Sequence, residues 1–201
     1  MVTEHSSESE RVDHLFRLIS SPRFLKMQGI GNEVPFFICP YLPEQENEMR
    51  RLINQLVNRL QSNGITIIRV NLFDLVIELL KKRGELDTIL ENESEIAKSD
   101  LLEMLQNVCD PEHYLVPEIV KQVDGKDVDI LFITGVGEVF PYIRSHIVLS
   151  NLQSKVKNIP TVLFFPGGYS QSKDGGSSLT LFNRLQDNKY YRAFNIYTSE
   201  I

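Results

Sequence analysis

The sequence predicts an α/β fold: a mostly parallel five-stranded sheet with helices on both faces and a helical insertion between two of its strands. Predicted strands and helices alternate along the chain, which is typical of parallel sheets. The predicted strands are short, continuously apolar runs, as expected for strands that are buried on both faces. With 201 residues, 42% of them hydrophobic and 24% charged, the chain fits one globular domain over residues 1–201.

The first half of the chain begins with a polar tail at residues 1–9, followed by a helix to about Ser20. The first strand is Pro35–Cys39, and the clearest helix follows it, with apolar residues at i, i+3 and i+4 and Gly64 suited to end it. The β-branched run at residues 65–70 predicts the second strand. A helix capped by Asn71 or Asp74 then runs through Leu80.

The second half predicts three further strands. Residues 85–122 carry short apolar stripes interrupted by prolines, and we interpret them as a helical insertion between the second and third strands. The apolar runs at 128–133 and 160–165 predict the third and fourth strands, with a helix at about 139–154 between them. Residues 191–196 predict the fifth strand, and no repeat or linker divides the chain.

Charge and composition exclude several classes of function. A net charge of −6 and a pI near 5.3 repel phosphate backbones, so we expect no direct nucleic-acid binding; a local basic patch would be needed to reverse this. No apolar run approaches the roughly 20 residues of a membrane span, and the polar N-terminus is unlike a signal peptide. Two cysteines far apart in sequence fit a reducing compartment. We therefore expect a cytoplasmic protein.

The turn after the first strand argues against phosphate binding. Ligands of open α/β sheets bind beyond the carboxyl ends of the strands, where nucleotide-binding folds carry glycines. Residues 40–46 read PYLPEQE, in which two prolines lack N–H donors and the glutamates repel phosphate. The four histidines show no metal-ligand spacing, and no nucleophile motif occurs. We expect no metal, no cofactor and no catalytic residues.

Two glycine-containing stretches after later strands are candidate sites. After the third strand, the turn TGVGE holds part of a dinucleotide-binding pattern, but its third glycine is missing. It supplies the secondary candidates Gly135, Gly137 and Glu138, and the alternative is a tight turn leading into a helix. After the fourth strand, residues 166–178 contain four glycines and four serines, which fit either an anion-binding nest or a flexible connection. The main candidates there are Gly167, Gly168, Tyr169, Ser170, Asp174, Gly175, Gly176 and Ser177.

The C-terminal third resembles a known family. The stretch FFPGGYSQSKDGGSSLTLFNRLQDNKYYRAFNI at 164–196, together with VDILFITGVGEVFPYIRSH at 128–146, is similar to the BrxB family of bacteriophage exclusion (BREX) defence systems. The resemblance implies a small component that acts beside a BrxC-like ATPase, a PglX-like methyltransferase and a PglZ-like phosphatase-fold protein. It implies no catalytic activity. The order of strands and helices also resembles a P-loop ATPase core that lacks the phosphate loop.

Two hypotheses follow. The first is a non-enzymatic adaptor, a monomer within a hetero-complex, which bridges the PglZ-like and BrxC-like proteins. It would use residues 166–178, the aromatic C-terminal segment, Arg184 and Arg192 as contact surface. The second is a nucleotide- or phosphate-binding domain, or a catalytic one, that uses the Gly/Ser-rich stretch with the turn at 135–138.

Overall fold

A computed structural model describes residues 3, 6–28, 35–171, 177–191 and 193–198. Five strands form a parallel sheet in the order β2-β3-β4-β1-β7, and β5 and β6 extend it in antiparallel fashion from the far end of β4. The strands are β1 (Phe36–Tyr41), β2 (Ile67–Asn71), β3 (Ile130–Thr134), β4 (Thr161–Gln171), β5 (Ser177–Leu181), β6 (Leu185–Tyr191) and β7 (Phe194–Asn195).

Helices connect the parallel strands. The helices are α1 (Glu8–Ile19), α2 (Pro22–Leu25), α3 (Glu46–Ser62), α4 (Leu72–Lys82), α5 (Glu85–Asn92), α6 (Lys98–Val108), α7 (Val116–Val123) and α8 (Ser145–Lys155), with a 3₁₀ turn at Pro43–Gln45 and a π turn at Pro111–Leu115. Ser7 caps α1 in a reciprocal capping box with Glu10, so the helix begins inside the predicted polar tail. The assignment of residues 1–201 to one domain and of 85–122 to an insertion stays a prediction.

The sheet separates two hydrophobic clusters. Successive side chains of a strand point to opposite faces, so β1 sends Phe37 to the face covered by α1 and α3, and Ile38 to the face covered by α4, α7 and α8. All six residues of β1 are buried for this reason. The arrangement confirms the predicted α/β class, the mostly parallel sheet and the helices on both faces.

The described residues hold seven strands rather than the predicted five. The pairing of β1 with β4 ends where Tyr41 lies opposite Pro166, and β4 continues beyond the end of β1 as far as Gln171. The continuation pairs with β5, and β5 with β6, so the described part of the predicted Gly/Ser loop, residues 166–171 and 177–178, is strand. The predicted fifth strand at 191–196 is divided between the end of β6 and the short β7. Backbone pairing needs no apolar pattern, which is why composition alone indicated a loop.

The helix predicted at 139–154 begins later, at Ser145. Pro141 lies in its predicted first turns, and residues 135–144 form turns in the structure instead. A proline inside a helix removes an N–H donor and clashes with the preceding turn, which accounts for the delayed start. The delay leaves a ten-residue segment free to pack between β3 and the β5–β6 hairpin.

Candidate functional site

A cleft of about 380 Å³ opens beyond the carboxyl ends of β1, β2 and β3. This is the edge at which open α/β sheets bind ligands. Its floor includes Phe164 of β4, and α3 forms one wall. The polar and charged lining residues are Tyr41, Glu46, Arg50, Asn54, Arg69, Asn71, Asp74, Thr134 and Glu138.

The turn after β3 passes very close to the N-terminus of α4. The side-chain oxygen of Asn71 accepts hydrogen bonds from the backbone N–H groups of Phe73 (2.8 Å) and Asp74 (3.2 Å), so Asn71 is the helix cap. Gly135 has φ +76°, and a Cβ there would lie 2.4 Å from Asn71 Oδ1. Gly135 is therefore needed both for its backbone conformation and for room beside the cap.

The charges in the cleft largely neutralise one another. Arg50 Nη2 lies 2.9 Å from Glu138 Oε1 and 3.7 Å from Glu46 Oε1. The Tyr41 hydroxyl donates a hydrogen bond of 2.5 Å to Glu46 Oε2. Burial, with the carboxylate of Glu46 beside it, raises the pKa of Tyr41 above its ordinary value, so Tyr41 remains a neutral donor. Arg69 donates to Asn54 Oδ1 at 2.6 Å.

This balance disfavours phosphate. Three carboxylates, those of Glu46, Asp74 and Glu138, share the cleft with two guanidinium groups, one of which is already held between two carboxylates. Within the described part of the chain, no group of three or more His, Cys, Asp or Glu side chains could hold a metal ion. The geometry fits a polar cleft whose ion pairs hold α3 against the turn after β3.

The secondary candidates, Gly135, Gly137 and Glu138, lie in one turn but make contacts in two different places. Gly135 and Glu138 line the cleft, whereas Gly137 lies outside its lining. A Cβ at Gly137 would lie 3.0 Å from both Phe182 and Pro166, so this glycine lets the turn pack against the start of the β4–β5 extension.

The main candidates that the structure describes lie in ladder positions; they are Gly167, Gly168, Tyr169, Ser170 and Ser177. Gly167 and Gly168 pair with Leu181 and Thr180. A Cβ at Gly167 would lie 2.1 Å from the Thr180 carbonyl oxygen, so strand pairing itself requires this glycine. Backbone pairing thus uses groups that a phosphate nest would need.

Two further candidates make defined contacts. The Tyr169 hydroxyl donates to the Ala193 carbonyl at 2.8 Å, which ties the extension to the chain just before β7. Ser170 and Ser178 face each other across the ladder with hydroxyl oxygens 2.7 Å apart. Ser177 begins β5. Asp174, Gly175, Gly176 and Arg192 lie outside the described residues.

A tight turn joins β5 to β6 and displays residues that the sequence did not single out. Phe182 and Asn183 both have positive φ (53° and 56°), and Arg184 N–H donates to the Leu181 carbonyl at 3.1 Å, which are the features of a type I′ turn. Phe182 packs edge-on against Phe140, with ring centroids 6.3 Å apart. Leu185 follows the turn and is 44% exposed.

The residues around this turn form what we call the hairpin surface. Leu185 lines both an apolar pocket of about 40 Å³ and a shallow groove of about 590 Å³. Arg144 lines the pocket and Arg184 the groove, and neither makes an ion pair with any residue that the structure describes. The hairpin surface consists of Phe140, Arg144, Phe182, Arg184, Leu185 and Gln186.

Of this surface, the sequence predicted Arg184 alone. An alternation of Leu179, Leu181 and Leu185 with polar residues was the available signal, because alternation indicates a half-buried strand. Arg144 and Phe140 come from a segment about 40 residues earlier, and no local pattern indicates that they meet the hairpin.

Two further observations concern the chain as a whole. Cys39 and Cys109 are both buried and form no disulfide. Burial raises the pKa of the Cys109 thiol to about 11, which keeps it protonated near neutral pH. None of the helices in the described ranges combines the length and apolar character that crossing a bilayer requires.

Comparison with known proteins identifies relatives over nearly the whole chain. The family described as "BREX protein BrxB" matches residues 68–196. A protein named "BREX protein BrxB" from Bacillus cereus (strain H3081.97) is 34% identical, over 94% of this chain and 96% of the relative. A protein of the same name from Escherichia coli O9:H4 (strain HS) is 28% identical, over 92% of this chain and 90% of the relative. No solved structure matches the chain.

Proposed function

This chain belongs to the BrxB family of BREX proteins, and from that premise we propose that it is a non-enzymatic adaptor in BREX phage defence. It bridges a PglZ-like phosphatase-fold protein and a BrxC-like ATPase, with a PglX-like methyltransferase as a further partner. It is a monomer within this hetero-complex, and the complex is cytoplasmic.

One observation carries the proposal: the described residues of the Gly/Ser-rich segment, 166–171 and 177–178, are strands of an antiparallel extension of the sheet, where a ligand-binding domain would have a phosphate nest. The extension places Leu185 and Arg184 side by side on the surface. Arginine is enriched among the residues that contribute most to protein–protein binding, and an exposed apolar side chain beside it adds area that is favourable to bury.

The pairing of the arginines in the cleft also supports a function without a phosphate ligand. These arginines already have carboxylate or amide partners, so a phosphate would have to break Arg50 away from Glu138 and Glu46. The likeness to a P-loop ATPase core belongs to the same proposal and is an analogy of fold. It is favoured by parallel strands in which β4 lies between β1 and β3, with PYLPEQE after β1 where such a core carries its phosphate loop.

Reconstitution from purified proteins tests the adaptor function. Size-exclusion chromatography of the PglZ-like and BrxC-like proteins, with and without this chain, measures whether they coelute. An adaptor makes the two larger proteins coelute only when it is present. Coelution without the chain, or failure of the chain to bind either protein, would contradict the proposal.

A second candidate function is ligand binding in the cleft, and the cleft's volume of about 380 Å³ favours it. Thermal unfolding with ATP, ADP or inorganic phosphate tests it, because a ligand that binds only the folded state raises its melting temperature. We expect no shift from any of them. A saturable shift that is lost in Arg69→Ala would favour the second function over the first.

A further inference from the structure

The hairpin surface has a positive character in an acidic chain. The chain carries a net charge of −6, yet Arg144 and Arg184 have no ion pair among the described residues. Three other arginines close to the sheet have internal partners: Arg50 is held by Glu138 and Arg11 by Glu48, and Arg69 donates to the Asn54 side chain. As far as the described residues go, each guanidinium group of the hairpin surface therefore has donors available for a carboxylate from outside.

An apolar opening accompanies the two arginines. The pocket of about 40 Å³ is walled mainly by apolar side chains from β5, the end of the parallel part of β4 and the segment before α8. Leu185 is exposed over it and is shared with the groove that contains Arg184. A small apolar cavity of this kind gains little from holding water, so covering it with an apolar side chain is favourable.

The surface is fixed before any partner arrives. Phe182 and Asn183 occupy the left-handed backbone region, which costs free energy for residues other than glycine and is maintained here by the hairpin. Phe182 is also held by its N–H bond to the Pro166 carbonyl (2.8 Å) and by its packing on Gly137. A surface that needs no ordering loses less entropy on binding.

We propose that the hairpin surface binds an acidic segment of a BREX partner protein, with an apolar side chain of that segment covering Leu185 and its carboxylates on Arg144 and Arg184. The inference rests on the proposed adaptor function and specifies the chemistry of one of its partners. Paired guanidinium and carboxylate groups give the contact its charge specificity, and the leucine contributes apolar burial.

Protein fits this surface better than nucleic acid. Glu44 lines the same groove as Arg184, and its carboxylate repels a nucleic-acid backbone, which carries a charge at every nucleotide, whereas a polypeptide can place an uncharged residue opposite Glu44 and its carboxylates at the arginines. An exposed leucine at the centre of the surface also suits a side chain and offers nothing to a phosphate. The occupant we expect is therefore a polypeptide.

The test is the affinity of the full-length chain for the purified PglZ-like and BrxC-like proteins, measured by titration calorimetry. The variants are Arg144→Glu with Arg184→Glu, and Leu185→Ser. The matched control is Arg23→Glu, an exposed arginine of α2, whose Phe24 packs into the cluster on the opposite face of the sheet. Thermal unfolding of each variant establishes that it is folded.

We expect the double charge reversal to weaken binding to one partner about tenfold or more, Leu185→Ser to weaken the same binding, and Arg23→Glu to leave it unchanged. Raising the salt concentration weakens wild-type binding and has less effect on the double variant. Unchanged affinity in folded variants would overturn the inference while the adaptor function stands.

Two other outcomes would also overturn it. If the wild-type chain binds neither larger protein, the adaptor function fails and the inference fails with it. If the double charge reversal abolishes binding of a duplex DNA probe in a mobility-shift assay and leaves protein binding intact, the surface serves nucleic acid instead.

Discussion

The cleft and the hairpin surface both contain arginines, but they use them in opposite ways. In the cleft, Arg50 lies between Glu138 and Glu46, so its charge is satisfied inside the molecule. On the hairpin surface, Arg144 and Arg184 have no carboxylate partner among the described residues. Among the described residues, the cleft therefore leaves fewer charged groups without a partner than the hairpin surface does, and this difference is why we place partner binding on the hairpin surface.

The largest expected effect comes from disrupting the hairpin itself. Gly167→Ala places a Cβ 2.1 Å from the Thr180 carbonyl oxygen, a backbone atom that cannot move without breaking the ladder. We expect a loss of about 3 kcal/mol in the free energy of unfolding, measured with urea, together with loss of partner binding. The control is Gly168→Ala, whose Cβ meets only the Asn183 side chain, at 3.3 Å. Equal stability of the two variants would contradict the strand pairing described here.

The matching change at the cleft is Gly135→Ala. It forces a left-handed backbone on alanine and places a Cβ 2.4 Å from the capping oxygen of Asn71. We expect a loss of about 2 kcal/mol, of which Asn71→Ala alone reproduces about 1 kcal/mol because that variant removes the helix cap. Affinity for the partners should not change at temperatures where the variant is folded. A loss of affinity comparable to that of the hairpin variants would make the cleft part of the interface.

Replacing one arginine of each region with alanine distinguishes a role in stability from a role in partner binding. Arg50→Ala removes ion pairs of a side chain that is 59% exposed, so the free energy of unfolding should fall by less than about 1 kcal/mol. Arg144→Ala removes no ion pair in the described structure, so stability should stay the same while partner binding weakens. Chemical denaturation and calorimetry on both variants give the two measurements. The reverse pattern would invalidate the comparison.

The smallest effect is a pH dependence in the cleft. Burial and Glu46 raise the pKa of Tyr41 in the folded state, so folding favours its protonated form. Its contribution to stability is complete below the unfolded pKa of about 10 and declines as the pH rises above that value. The wild-type protein should therefore lose more stability than Tyr41→Phe between about pH 9.5 and 11. Parallel curves for the two proteins would show that Tyr41 does not hold its proton.

The strands of the parallel sheet could be predicted from the sequence because each is marked by a short run of neighbouring apolar residues. Runs such as Phe36–Cys39 and Ile130–Ile133 are apolar at every position, and Asn71 was among the two caps predicted for α4. The β5–β6 hairpin was missed because the glycines and serines of residues 166–178 indicated a loop, although Leu179, Leu181 and Leu185 alternate with polar residues and were the local signal for it. The pairing of β5 with β4 was not indicated by any local sequence pattern and is known from the structure.

The cleft and the hairpin surface also differ in how many of their residues could be predicted from the sequence. Gly135 and Glu138 were predicted because they follow a strand directly, and ligand sites of open sheets lie at strand ends. Arg50, which pairs with Glu138, comes from α3, and Arg144, which joins the hairpin surface, precedes α8. Contacts between residues so far apart in sequence depend on the path of the whole chain, so no local spacing indicates them.

Hydrogen exchange of this chain, alone and bound to the PglZ-like or BrxC-like protein, tests most directly whether it acts through the hairpin surface. We expect slower exchange of the backbone amides of residues 182–186 in the complex and unchanged exchange at residues 134–138. Slower exchange at residues 134–138, with none at the hairpin turn, would contradict the account and place the functional contact in the cleft.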